Sequence, residues 1–131
     1  MINVITYGTF DVLHRGHINL LKRARDLGDK LYVGLSTDEF NIGKNKSSVL
    51  PYEDRECVIE SLMFVDVVLK EERWDQKISD VIKYNIDIFV IGDDWKGHFD
   101  FLKPHCQVVY LPRTPGISTS LLKEKVLSMN D

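Results

Sequence analysis

An α/β fold is predicted for this chain, a single doubly wound sheet of five parallel strands with helices on both faces. Three observations predict it. Short β-branched, apolar runs alternate with helical patterns along all 131 residues. The spacers between the runs are long enough for a crossover helix, which implies right-handed βαβ units. At this length one core is the expected outcome, so residues 1–131 are read as one domain.

The elements follow in order. Val4-Ile5-Thr6-Tyr7 reads as the first strand. Residues 17–27 read as a helix, apolar at Ile18, Leu21, Ala24 and Leu27 and stopped by Gly28. Residues 30–35 form the second strand. Pro51 opens a helix running toward Met63, in the first-turn position proline tolerates. Residues 65–69, 87–91 and 108–111 are the remaining strands. Residues 76–84 and an amphipathic stretch over 118–127 supply the last helices. The pattern is Rossmann-like, and such a sheet binds its ligand beyond the carboxyl ends of its strands, where strand order reverses. The segments that matter are therefore 8–17, 36–46, 92–97 and 112–120.

Composition narrows the function. Hydrophobic residues make up 44% and charged residues 28%, as in an ordinary globular domain. A net charge of −3 argues against a general nucleic-acid binder. No apolar stretch approaches the ~18 residues of a membrane span, and the first residues match neither a signal nor a transit peptide, so a soluble, cytoplasmic protein is expected. Cys57 and Cys106 have no metal-ligand spacing and read as reduced thiols.

Chemistry concentrates in two motifs. In Gly8-Thr9-Phe10-Asp11-Val12-Leu13-His14-Arg15-Gly16-His17, two histidines flank a glycine at a helix start. Gly16 allows close approach to the backbone, and the helix N-terminus favours an anion such as phosphate. A zinc site would need a third ligand with suitable spacing, and none accompanies the pair. In Arg113-Thr114-Pro115-Gly116-Ile117-Ser118-Thr119-Ser120 a guanidinium able to span two phosphate oxygens precedes another helix start. Ser118 or Thr119 also suits a plain helix cap. Lys44-Asn45-Lys46 follows the second strand and fits either a solvated charge cluster or a phosphate clamp. Asp11 and Asp94 are candidates for magnesium or sugar contacts, while Asp38, Asp66, Asp93 and Trp95 fit structural roles.

The first motif matches the HxGH signature of the cytidylyltransferase-like nucleotidyltransferases, and the second resembles the RTxGISTT signature of their cytidylyltransferase branch. Ser36-Thr37-Asp38-Glu39-Phe40-Asn41, Gly92-Asp93-Asp94-Trp95 and Phe99-Asp100-Phe101-Leu102 extend the match along the chain. Two positions depart from it: Ser120 replaces a threonine, and Met63 stands where the family often has arginine. The resemblance implies transfer of the cytidylyl group of CTP to sn-glycerol 3-phosphate, giving CDP-glycerol for wall teichoic acid synthesis. It implies His14, His17 and Arg113 as catalytic residues, and CTP contacts from Thr9, Phe10, His14, Arg15, Gly16, His17, Lys44 and residues 113–120. Lys46 and Lys77 are implied on the acceptor. Mg²⁺ is expected to arrive with CTP, without a dedicated protein site, and a homodimer or homotetramer is implied. Two rivals fit the strand pattern: a non-catalytic flavodoxin-like or receiver-like module, and an enzyme of the same fold using ATP with a different acceptor.

Overall fold

In a computed structural model, which describes residues 1–129, five parallel strands form one sheet. In chain order the elements are β1 (Asn3–Gly8), α1 (Arg15–Asp26), β2 (Lys30–Ser36), α2 (Asp38–Gly43), α3 (Tyr52–Glu60), β3 (Val67–Glu71), α4 (Gln76–Lys83), β4 (Ile88–Gly92), β5 (Gln107–Leu111) and α5 (Thr119–Met129). Two 3₁₀ turns, Asp93–Trp95 and Asp100–Leu102, lie between β4 and β5. The strand order is β3-β2-β1-β4-β5. The chain winds outward from β1 to β3, then returns to β4 on the other side of β1, so order reverses between β1 and β4. The doubly wound prediction is correct.

Both faces of the sheet are covered, which is why its strands read as nearly continuous apolar runs. Alternate residues of β1 serve opposite cores. Val4 packs with Leu21, Leu31, Val33 and Ile59 on the side of α1 and α3. Ile5 and Tyr7 pack with Val81, Phe89, Phe99 and Leu102 on the side of α4. Gly34 is required by that second core: a Cβ there would sit 2.2 Å from the Tyr7 ring.

Several boundaries differ from the expected ones for visible reasons. α1 begins two residues earlier than predicted because the His14 side chain caps it. Pro51 lies at the N-cap of α3 in extended conformation, one residue before the helix. β3 starts at Val67, because Asp66 instead accepts a 2.8 Å bond from the Leu31 N–H and pairs with Arg25 at 3.1 Å. α5 forms as expected but buries no residue fully, and Leu121, Val126, Leu127 and Met129 are exposed. It is held by polar tethers at its first turns. Met63 lies 94% exposed between α3 and β3.

Arg55 ties the carboxyl edge of the sheet together. The residue is only 1% exposed. Its guanidinium donates to the carbonyls of Leu50 (3.0 Å), Thr9 (3.1 Å) and Ser36 (2.7 Å), and pairs with Asp38 at 2.7 Å. Three segments, around Thr9, Ser36–Asp38 and Leu50, thus converge on one side chain. Arg55→Ala should lower the free energy of unfolding in urea by about 3–5 kcal/mol, the scale for breaking a buried pair and orphaning its partners. A loss below about 1 kcal/mol would contradict that role.

Candidate active site

A cleft of about 570 Å³ opens at the carboxyl edge, over the β1/β4 reversal. It is lined by residues from all four segments the sequence singled out. Thr9, Phe10, His14, Gly16, His17, Lys44, Lys46, Arg113, Thr114, Ile117, Ser118, Thr119 and Ser120 all border it, as do Asp11 and Asp94. Arg15, Pro115 and Gly116 lie outside the lining. α1 explains how two motifs a hundred residues apart meet. Arg15, Asn19 and Arg23 lie on one helical stripe, at i, i+4 and i+8. They bond respectively to the Pro115 carbonyl (3.4 Å), Thr114 Oγ1 (3.0 Å) and the Pro112 carbonyl (3.2 Å).

The histidines are held in one tautomer. His14 Nδ1 accepts from the Gly16 N–H at 3.0 Å, and His17 Nδ1 accepts from the His14 N–H at 3.1 Å. A ring nitrogen that accepts carries no proton, so each neutral imidazole keeps its proton on Nε2. The rings stack with centroids 3.8 Å apart, and Phe10 meets His17 edge-on. Burial depresses both imidazoles, with His14 also repelled by Arg15 and His17 by His14, which brings His17 to about 4. At pH 7 the pair therefore offers two neutral N–H donors. Gly16 serves the same arrangement, since a Cβ there would meet the pinned His14 ring at 2.8 Å.

The loop carrying them is strained. Phe10 and Val12 adopt φ of 49° and 51°, a region costly for an aromatic or β-branched residue. Asp11 between them anchors the loop, accepting from the Val49 and Leu50 N–H groups at 2.6 and 3.0 Å. Lys123, which the sequence reading passed over, also lines the cleft and lies 3.6 Å from Asp11. Ser118 caps α5 by accepting from the Leu121 N–H, while Thr119 Oγ1 donates to the Asp11 carbonyl at 2.9 Å. Capping and cleft lining thus coexist in this segment.

On the opposite wall, Lys44 lies over the Phe40 ring at 4.3 Å and the Trp74 ring at 5.6 Å. Desolvation lowers its pKa to about 8, with nearby Glu71 pulling the other way. Lys46 stands exposed at the rim. Lys77 departs from expectation: it is 1% exposed, lies behind the lining and pairs with Glu71. Its ammonium is surrounded by the rings of Tyr7, Trp74, Phe40 and Phe99 at 4.8 to 5.9 Å. Among the described residues no group of three or more His, Cys, Asp or Glu could hold a metal ion. None of their helices is long and apolar enough to cross a membrane.

Two pH effects follow. His17 binds its proton less readily folded than unfolded, so the unfolded state takes up protons between pH 6.5 and 4 and stability falls as pH drops through that window. A shift from 6.5 to about 4 corresponds to about 3 kcal/mol, a loss that urea titrations should find in the native chain and not in His17→Gln. For Lys44 the sign is opposite for binding: the ammonium is lost above pH 8. Affinity for a polyanion should fall along an alkaline limb near pH 8, and Lys44→Arg should move that limb upward.

Comparison with known proteins agrees with this geometry. The cytidylyltransferase-like family model matches residues 5–125. The glycerol-3-phosphate cytidylyltransferase of Bacillus subtilis (strain 168) is 57% identical over 98% of this chain and 100% of its own length. That of Staphylococcus aureus (strain NCTC 8325 / PS 47) is 56% identical over 96% of both chains. Among solved structures, the lipopolysaccharide core biosynthesis protein of Thermoplasma volcanium GSS1 superposes with a TM-score of 0.75 at 28% identity, covering 87% of this chain and 98% of that one. The chain belongs to the cytidylyltransferase-like family.

Proposed function

We propose that this protein transfers the cytidylyl group of CTP to sn-glycerol 3-phosphate, releasing pyrophosphate. A phosphate oxygen of the acceptor attacks the α-phosphorus of CTP. The new O–Pα bond forms as the bond to the β-phosphate breaks, and CDP-glycerol and pyrophosphate leave. The acceptor oxygen is already ionised at neutral pH, so no general base is needed, and the reaction needs no covalent intermediate. The difficulty is electrostatic, because two polyanions must meet and charge grows on the departing pyrophosphate.

The observation that carries this reading is the tautomer-locked histidine pair. Two Nε2–H donors fixed by backbone bonds meet the requirement for pre-set donors where charge develops. Neutral donors also avoid a cost that imidazolium groups would impose, that of burying two like charges in contact. Arg113, Lys44, Lys123 and the start of α5 would take the triphosphate, and Lys46 the acceptor's phosphate. Magnesium would enter as the CTP complex. Both Asp11 oxygens are engaged by backbone N–H groups, and Asp94 is 3.3 Å from Arg113, which suits a metal held chiefly by phosphate.

The aromatic wall supports a neutral polyol over a cationic head group. Phe40 and Trp74 are the faces a quaternary ammonium would seek, and Lys44 and Lys77 already occupy them. The relatives named as glycerol-3-phosphate cytidylyltransferases support the same acceptor, and CDP-glycerol supplied for wall teichoic acid is the role we assign to the product.

The test is pyrophosphate release across a panel of nucleoside triphosphates and phosphorylated acceptors. CTP with glycerol 3-phosphate should exceed every other pair, choline phosphate included. His14→Ala and His17→Ala should each lower kcat by ~10²–10³, the scale for losing one such donor. No release from CTP and glycerol 3-phosphate would overturn the reading.

A further inference from the structure

Behind the lysine and aromatic wall runs a row of polar side chains that phosphate binding does not use. Asn41 Oδ1 accepts from Thr9 Oγ1 at 3.2 Å, Thr9 Oγ1 lies 3.3 Å from Ser36 Oγ, and Ser36 Oγ donates to Glu71 Oε1 at 3.0 Å. Glu71 Oε2 pairs with Lys77. Both ends of the row, Asn41 and Glu71, border the cleft, and they are 1% and 4% exposed. Each end has unused capacity. Asn41 Nδ2 is buried without a hydrogen-bond partner, a costly state for an amide donor. A carboxylate offers about four acceptor positions, and Ser36 and Lys77 account for two of those on Glu71.

A buried ion pair such as Glu71–Lys77 is weak grounds for stability, because desolvating two charges offsets most of their attraction. It does make a carboxylate tolerable beside a polyanion site, since Lys77 balances its charge. What remains is a fixed acceptor at one end of the row and an unsatisfied donor at the other. A hydroxyl group both donates and accepts, and a chain carrying two of them can serve one end with each. An ionised phosphate oxygen has no proton to give Glu71, and a quaternary ammonium could satisfy neither end by hydrogen bonding.

We propose that Glu71 and Asn41 read the hydroxyl groups of the acceptor's glyceryl chain, with Glu71 accepting and Asn41 Nδ2 donating. Lys77 is a positioning residue that holds Glu71 in place. This rests on the function proposed above and names how that site selects its substrate.

The experiment compares kcat/KM for glycerol 3-phosphate and for propyl phosphate, which has the same carbon chain without hydroxyls, at saturating CTP. The native enzyme should prefer glycerol 3-phosphate by at least ~100-fold, because a site built around hydroxyls leaves its own polar groups unpaired with the analogue. Glu71→Asp keeps the charge balance with Lys77 but withdraws the carboxylate by one methylene, and should lower that ratio at least ~10-fold. Asn41→Leu should lower it as well. The double variant Glu71→Gln/Lys77→Met removes both charges together and should bring the ratio below ~10. Calorimetric Kd values for the two acceptors give the same ratio for any variant too slow to assay. A ratio unchanged in folded Glu71→Asp and Asn41→Leu, or a native ratio near one, overturns this inference and leaves the cytidylyl transfer intact. A native enzyme that turns over neither acceptor with CTP overturns both.

Discussion

The buried guanidinium of Arg55 sets the conditions under which the active cleft can exist. Parallel strands end at one edge with their connecting loops turned outward, and each loop carries carbonyl groups that need donors. At this edge Arg55 supplies those donors to the Thr9, Ser36 and Leu50 segments and neutralises itself on Asp38. The consequences extend beyond the bonds. Thr9 and Ser36 are the middle of the polar row that ends in Glu71 and Asn41, so fixing their backbones fixes the spacing of that row. Asp38 also accepts from the Tyr52 N–H at 3.1 Å, which ties the start of α3 to α2, and its carboxyl is held below its ordinary range by these bonds. A lysine could not replace this side chain, because one ammonium cannot aim at carbonyls on several sides in a fixed plane.

The charges of the cleft are organised by burial. Each carboxylate facing it stands near a cation: Asp11 near Lys123, Asp94 near Arg113, Glu71 paired with Lys77. These pairs differ in what an incoming polyanion can do to them. Arg113 and Asp94 are both more than half exposed, so their pairing is worth less than about 1 kcal/mol and yields readily to a triphosphate. Glu71 and Lys77 are both buried, the ammonium among aromatic rings, and separation would strand a charge at a cost of several kcal/mol. One pair is exchangeable and the other is fixed. That difference suits Arg113 to follow a charge that moves during the reaction, and Glu71 to discriminate among acceptors.

Legibility from sequence followed the same division. Apolar runs flanked by helical patterns made the sheet readable, because burial of both faces leaves continuous apolar strands that stand apart from the helical period. The motif residues were readable because they sit where such sheets bind ligands, and most of them border one cleft, with Arg15, Pro115 and Gly116 outside its lining. Boundaries failed where a side chain overrode local pattern, as with His14 capping α1 and Asp66 bonding to β2 in place of extending β3. The burial of Lys77 was not legible, because only the fold reveals Glu71 and four rings around it. Arg55 and Glu71 were invisible on the same grounds, since a buried charge and a surface charge are spelled alike, while Asn41 fell inside the 36–46 segment with nothing to mark its amide as buried. The stripe of Arg15, Asn19 and Arg23 was a usable signal, because polar residues at i, i+4 and i+8 can staple a second segment to one helix face.

The exposed C-terminal helix makes sense through the loop it touches. Left-handed backbone at Phe10 and Val12 costs of order 1–3 kcal/mol each and persists only if the surroundings over-determine it. Asp11, between the two, is over-determined: its carboxylate takes two backbone N–H groups, and its carbonyl takes the Thr119 hydroxyl. α5 therefore contributes one of the restraints on the histidine loop, and Lys123, one turn further along, reaches both Asp11 and the Ser47 carbonyl. A helix that buries no side chain fully would otherwise have little reason to dock at a fixed angle. Here its first turns are held to the strained loop by the Thr119 hydrogen bond and the Lys123–Asp11 ion pair, and the loop is restrained by the same contacts. Anything that orders the start of α5, such as phosphate bound at its N-terminal N–H groups, must also stiffen the loop that positions His14 and His17.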